Sequence, residues 1–198
     1  MMATYSMIAG DALDLITAFN EQPDLIVTDP PYALRGDGDE HAISATVAIV
    51  LREAARKLKP GGWMLVMCAS SWRSQAYMVE SVRGIVEPVR TLTWCKPVAR
   101  TKAKTSGPAF ASVQVLAFKK GKSAVAPSFL LDHITAAPVT NGRRAELPME
   151  VADWMVCAYG HGAKLLLDPF AGSGAILKAA ERFGIRAVGF EKNPAVAA

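Results

Sequence analysis

The sequence has no acid where it is richest in bases. Between Pro88 and Leu131 there is no Asp or Glu, while Arg90, Lys96, Arg100, Lys102, Lys104, Lys119, Lys120 and Lys122 all fall there. The 198-residue chain carries a formal charge of only +4, so distribution matters more than the sum. Such a run reads either as a solvated face or as a surface for nucleic-acid phosphates. Cysteine is scarce. Cys68, Cys95 and Cys157 are odd in number, far apart and set in apolar or strand-like contexts. No disulfide framework is visible and no pair has metal-ligand spacing, which fits a reducing compartment. His41, His133 and His161 are equally scattered, so no metal site is expected. The N-terminus lacks a basic region followed by a long apolar core, so no signal peptide is expected. The apolar stretches are broken by charge or Gly well short of a membrane span. What is present is hydrophobic mass, 51% of residues, which argues against disorder. The length suits one good core and not two generous domains.

Short apolar strands alternate with amphipathic helices, the pattern of a layered α/β domain. Strands are predicted at Tyr5–Ala9, Leu25–Thr28, Trp63–Ala69, Val89–Lys96, Val113–Phe118, Lys164–Leu167 and Arg186–Phe190. Helices are predicted at Ala12–Asn20, Ala42–Leu58, Trp72–Arg83, Pro148–Tyr159 and Ala175–Arg182. Pro60-Gly61-Gly62 stops the second helix, Ser70 or Ser71 caps the third, and Pro148 suits a first helical turn. The fourth and fifth strands are expected to form a hairpin. Tyr32 to Glu40 is rich in Gly and Asp and reads as a mobile loop. Pro97 to Phe110 is basic and rich in small residues, and Gly121 to Arg144 gives no confident element.

Two motifs carry chemistry. Asp168-Pro169-Phe170-Ala171-Gly172-Ser173-Gly174 lies between a strand and a helix. Its glycines permit a tight turn and close approach to a ligand, and the next helix offers free amides. The rival is a phosphate loop, but no GxxxxGK[ST] pattern occurs, and Asp168 would repel a phosphate. A cofactor with an ammonium and a sulfonium suits an acid-fronted turn better. Glu191, 17 residues beyond Gly174, ends the next strand, where an acid typically binds ribose hydroxyls.

The second motif is Asp29-Pro30-Pro31-Tyr32, closing the apolar run Leu25-Ile26-Val27. An exocyclic ring amine is a poor nucleophile because its lone pair is delocalised. Two acceptors at its N–H groups favour a more tetrahedral nitrogen and stabilise charge as a methyl arrives. Asp29 supplies one, and the Pro30 carbonyl supplies the other on a backbone stiffened by Pro30 and Pro31. Tyr32 can stack on a flipped base. The plain alternative is an ordinary strand-ending turn.

These residues closely resemble the DPPY and DPFAGSG motifs of the amino-methyltransferases acting on DNA adenine N6 or cytosine N4, in the permuted order of the beta group. The resemblance covers nearly the whole chain. It implies a Rossmann-like, circularly permuted S-adenosylmethionine-dependent fold, a mostly parallel seven-stranded sheet with helices on both faces. It implies Asp29, Pro30, Pro31 and Tyr32 as catalytic residues and no metal. It implies cofactor contacts from Asp11, Ala12, Asp29, Asp168, Phe170, Ala171, Gly172, Ser173, Gly174, Glu191 and Lys192. Asp11 would hold the cofactor adenine's amino group and the Ala12 backbone its ring nitrogen, unless Asp11 merely caps the first helix. The first and last strands would be neighbours. Trp94-Cys95-Lys96-Pro97 resembles the family's Trp-x-Lys-Pro strand before a substrate-facing loop. In Arg144 to Glu150, Leu147-Pro148 stands where relatives often have Lys-Pro.

A single methyltransferase domain over 1–198 is expected, with 98–110 and 120–147 as substrate-facing loops and no separate recognition domain. Few base readers fall in the second loop: Asn141, Arg143 and Arg144, then Thr135 and Thr140. A short or relaxed target in double-stranded DNA follows. The implied setting is the cytoplasm of a bacterial or phage-infected cell, in restriction-modification or on a phage or mobile element, as a monomer or homodimer. Cytosine N4, RNA, protein glutamine and a non-catalytic DNA-binding role are the alternatives; Asp29 favours adenine over cytosine.

Overall fold

A computed structural model describes residues 4–31, 40–97, 111–122, 128, 130–139, 146–193 and 195, with backbone only at 40–44. Tyr32, most of the Tyr32–Glu40 loop, the 98–110 loop with Arg100, Lys102 and Lys104, and Thr140 to Ala145 lie outside the described residues.

The elements are β1 (Tyr5–Ala9), α1 (Ala12–Ala18), β2 (Leu25–Thr28), α2 (Glu40–Lys57), β3 (Trp63–Ala69), α3 (Trp72–Ser81), β4 (Glu87–Cys95), β5 (Ser112–Lys119), β6 (His133–Thr135), α4 (Met149–Tyr159), β7 (Leu165–Asp168), α5 (Ala175–Arg182) and β8 (Arg186–Glu191). They form one sheet in the order β1-β8-β7-β2-β3-β5-β4-β6. Only β5 runs against its neighbours, pairing antiparallel with both β3 and β4. The mostly parallel, two-faced architecture is the one expected. The sheet has eight strands among the described residues, not seven. The added one, β6, pairs parallel with the end of β4. Three residues are too few to show a period, and they sit in a Pro- and Thr-containing stretch.

The buried strands are apolar without polar alternation because both faces are covered. Successive residues still divide between the faces. Leu25, Val27, Leu65, Met67 and Leu166 join α4 and α5 in one core. Ile26, Met64, Val66, Cys68, Leu165 and Leu167 join α1, α2 and α3 in the other. Gly189 is where backbone must come close. A Cβ there would lie 2.6 Å from Leu177 Cδ1 and 2.7 Å from Ala171 Cβ, so only glycine lets the α5 layer settle on β8.

The two sheet ends differ. Parallel strands β2, β3 and β7 start together, and Asp24 locks that end. Its Oδ2 accepts from the Lys164 and Leu165 amides at 3.0 Å each, and its Oδ1 accepts from Lys59 Nζ at 2.6 Å. Antiparallel β5 delivers Lys119 and Lys120 to this same end, opposite Trp63 at the start of β3. Lys120 Nζ donates to the carbonyls of Ala55, Arg56 and Leu58, capping the C-terminus of α2. The acid-free run is therefore split by the topology. Lys96 stands at the end of β4 where the parallel strands finish, while Lys119, Lys120 and Lys122 lie at the other end.

The Gly121–Arg144 segment also divides. Ser128 donates its amide to the Ala158 carbonyl at 2.9 Å, and Trp154 Nε1 reaches the Leu131 carbonyl at 3.2 Å, so this part packs on α4. Since β6 runs parallel to β4, only the chain after Thr135 leaves from the working end.

Candidate active site

The C-terminal ends of β1, β8, β7 and β2 converge, the usual place for a ligand in an open parallel sheet. Parallel pairing sets Ala9 beside Glu191, and the Gly10 amide donates to the Glu191 carbonyl at 2.9 Å. The first strand is thus next to the last, as the permuted order requires. A cavity of about 630 Å³ opens here, lined by Asp11, Ala12, Asp29, Pro31, Thr46, Val47, Pro169, Phe170, Gly172, Phe190, Glu191 and Lys192. That volume suits a nucleoside-sized ligand.

The two sequence motifs meet in this cavity. Asp29 leaves the end of β2; Phe170 and Gly172 belong to the turn after β7. Gly172 and Gly174 hold left-handed backbone, φ 51° and 76°, which a side chain would strain. Gly174 is the N-cap of α5 and brings no side chain to that helix start. The Ala171 amide donates to the Phe190 carbonyl at 2.9 Å, fastening the turn to β8.

Asp11 caps α1 and also stands at the cavity. Its Oδ1 accepts from the Leu13 amide at 2.9 Å, capping α1, and it also lines the cavity with Ala12. The Leu13 amide and Lys192, whose Nζ is 3.3 Å from Oδ2, hold its carboxyl below the usual range. Glu191 accepts from the Asn193 amide at 2.8 Å and faces the same space. The apolar walls are Val47, Pro169, Phe170 and Phe190.

Asp168, Ala171, Ser173 and Gly174 are not among the lining residues. Asp168 is wholly buried: its Oδ1 accepts from the Thr28 hydroxyl at 2.7 Å and the Phe170 amide at 3.0 Å. Burial pushes its carboxyl up to about 7; those two hydrogen bonds oppose the rise, and the charges of Asp29 and Glu191 add to it. The charge of Asp29 also reaches Lys96 and Cys68. Burial lowers the Lys96 ammonium and Asp29 resists that. Burial raises the Cys68 thiol to about 12, against a hydrogen bond with Ser74, and Asp29 raises it further. Lys96 lies 4.7 Å from the Trp94 ring centre, and the Trp94 indole is pinned to the Ala136 carbonyl at 2.9 Å.

Sequence reasoning missed Thr28, Thr46 and Val47. Thr28 read as an ordinary strand residue, and α2 carried no motif. The open space left between a strand-end acid and a helix gives no sequence signal.

Residues 133–198 match the family model for DNA methylases of the N6/N4 type. The match covers about a third of the chain. The matched stretch holds the glycine turn and Glu191, while the Asp29 motif lies before it and is joined to it by the sheet. Solved structures match this chain nearly end to end. The complex of M1.HpyAVI with S-adenosylmethionine is 19% identical with a TM-score of 0.80, covering 98% of this chain and 95% of that one. PvuII DNA methyltransferase, cytosine-N4-specific, is 18% identical with a TM-score of 0.79, covering 100% and 85%. TTHA0409 of Thermus thermophilus, a candidate DNA modification methylase, is 24% identical with a TM-score of 0.74, covering 98% and 91%. These likenesses establish the permuted methyltransferase fold. No curated protein sequence matches the chain significantly. No described helix is long and apolar enough to cross a membrane.

Proposed function

We propose that this protein transfers a methyl group from S-adenosylmethionine to N6 of an adenine rotated out of double-stranded DNA. The match of residues 133–198 to the DNA methylase model supports the coarser part of that reading, methylation of an amino group on DNA. The observation that carries the rest is the meeting of Asp29 with the glycine turn, Asp11 and Glu191 around one cavity.

The lining residues fit the cofactor. Three carboxylates, Asp11, Asp29 and Glu191, line a space otherwise walled mostly by apolar rings and aliphatic carbons, with Lys192 paired to Asp11. That field favours a cationic ligand with hydroxyls over a phosphate. Glu191 would hold the ribose, Asp11 and Ala12 the adenine, with Phe170 and Val47 against the ring. The bound cofactor supplies an electrophilic methyl on a sulfonium. Asp29 accepts one N–H of the target amine, and the Pro30 carbonyl accepts the other. Both stabilise positive charge as it develops on nitrogen. Tyr32 would stack on the extruded base.

Base contacts would come from 98–110 and from the segment after Thr135, the substrate-facing loops of this reading. A target of roughly four base pairs or fewer is expected from so few readers. Cytosine N4 is the second reading, favoured by the likeness to PvuII methyltransferase. Incubation with labelled S-adenosylmethionine and DNA, RNA or protein, followed by digestion to nucleosides, tests the proposal. N6-methyl-2′-deoxyadenosine from DNA is the expected product. N4-methylcytosine alone would overturn the base, and label in RNA or protein alone would overturn the substrate. Mapping modified bases in a methylation-free host would then give the sequence context.

A further inference from the structure

The strongest unassigned feature is the buried acid at the head of the glycine turn. Asp168 and Thr28 each have 0% exposure. Their strands are adjacent and parallel, with Leu25 opposite Leu166 and Ile26 opposite Leu167. The Thr28 hydroxyl donates to Asp168 Oδ1 at 2.7 Å, one residue before Asp29. The Phe170 amide donates to the same oxygen at 3.0 Å, inside the turn. One carboxyl oxygen thus ties the strand end that presents Asp29 to the turn that lines the cavity.

We propose that Asp168 is a positioning residue, a latch between the catalytic strand and the cofactor turn, and that its charge makes no contact with the cofactor. A carboxylate serving as counter-charge to a bound cation would open onto the cavity, yet Asp168 does not line it. Its other oxygen, Oδ2, is buried with no hydrogen-bond partner among the described residues. The charged groups that act on it are Asp29 at the end of β2 and Glu191 at the end of β8, both negative. A bare anion is costly in such a place. The neutral acid keeps Oδ1 as the acceptor for Thr28 and Phe170, so the latch closes without charge. In support, the carboxyl is pushed up to about 7.

This inference rests on the methyl-transfer reading only for its kinetic readout. The sign of its pH dependence is fixed. The folded-state value is raised from 3.8, so the stability that this group contributes is fully present below about 4 and lost as pH rises through about 7.

The decisive variant is Asp168→Asn, which keeps the acceptor oxygen and cannot ionise. Melting of the ligand-free protein is followed from about pH 5 to 8 for parent and variant. The parent should lose stability relative to Asp168→Asn across that interval. A constant offset between the two would overturn the proposal. Calorimetric titration with S-adenosylmethionine should give affinities for Asp168→Asn within about threefold of the parent, since only an uncharged isostere is exchanged. A loss of about 30-fold or more would show that the negative charge itself holds the cofactor, and the latch would fall. Thr28→Val removes only the latch hydroxyl. It should slow single-turnover transfer by about tenfold while leaving cofactor affinity near the parent's, the mark of misplaced Asp29. An unchanged rate would overturn the positioning role. If the parent methylates no DNA but the pH-dependent difference is present, the latch stands and the activity reading fails.

Discussion

The two ends of this sheet handle charge in opposite ways. Where the parallel strands begin, Asp24 accepts from two amides and Lys59, Lys120 donates to three helix-end carbonyls, and Arg186 pairs with Glu21. Where they finish, Asp11, Asp29, Asp168 and Glu191 converge, and the cavity-lining cation is Lys192, whose side chain is 83% exposed. Opposite charge within reach favours the folded chain; like charges gathered in a half-buried space disfavour it. The first end serves the fold. The second holds an acid, Asp168, whose carboxyl is pushed up by burial and by the neighbouring charges of Asp29 and Glu191.

The pKa directions make the contrast measurable. Burial pushes Asp24 up, but Lys59 and the Lys164 and Leu165 amides outweigh it, so the net shift is downward. The stability that Asp24 contributes is present above about 3.8 and lost as pH falls. Asp168 has the reverse sign. Asp24→Asn should therefore flatten the acid limb of the stability profile, and Asp168→Asn the neutral limb.

The sharpest break in the comparison is Asp29→Ala. It should fold and bind S-adenosylmethionine, yet transfer methyl at least about 100-fold more slowly in single-turnover assays. At the opposite end Asp24→Ala should cost about 2–3 kcal/mol of stability by denaturant titration, because two amides and an ammonium lose their acceptor. Cofactor affinity measured on the folded fraction should not move. Glu191→Ala should invert that pattern, weakening the cofactor by about 1–3 kcal/mol with little change in stability. Asp11→Ala should do both in small measure, since it caps α1 and faces the cavity; about 1 kcal/mol of stability is expected from the cap. The finest test uses the bases. Gln in place of Arg100, Lys102 and Lys104 should lower the log–log salt slope of DNA binding by nearly 3 if all three meet phosphates. Lys119→Gln with Lys122→Gln should leave it unchanged, because these lie at the far end of the sheet. A slope that falls with the second pair would place DNA across a different face.

Much of this was legible in the sequence, for reasons that differ by element. β1, β2, β3 and α5 fall where predicted to the residue, because apolar runs ended at unmistakable punctuation: Gly10-Asp11, Asp29-Pro30, Ser70 and the glycine turn. β4 begins two residues before its predicted start, since its register shifts between Pro88 and Arg90 and disturbs the alternation. β6 was illegible because its pairing with Thr93–Cys95 is non-local. Of the cavity-lining acids, Asp29 and Glu191 could be named from strand ends, and Asp11 only through the family resemblance. The inward turn of Asp168 could not, because a motif gives the acid's position along the chain and not the side it faces. Nor could the duty of Lys120, whose partners lie 62 to 65 residues back.

The pairing of β1 with β8 has a consequence in time. β1 is an edge strand with β8 as its sheet neighbour, so Tyr5–Ala9 has no ladder to join until Arg186–Glu191 exists. Synthesis at ~5–20 residues per second leaves that first strand waiting on the order of 10–35 s. For that interval Asp11 and Ala12 face no Glu191, and the cavity has only part of its wall. That wall of the cavity is complete only once both strands have been made.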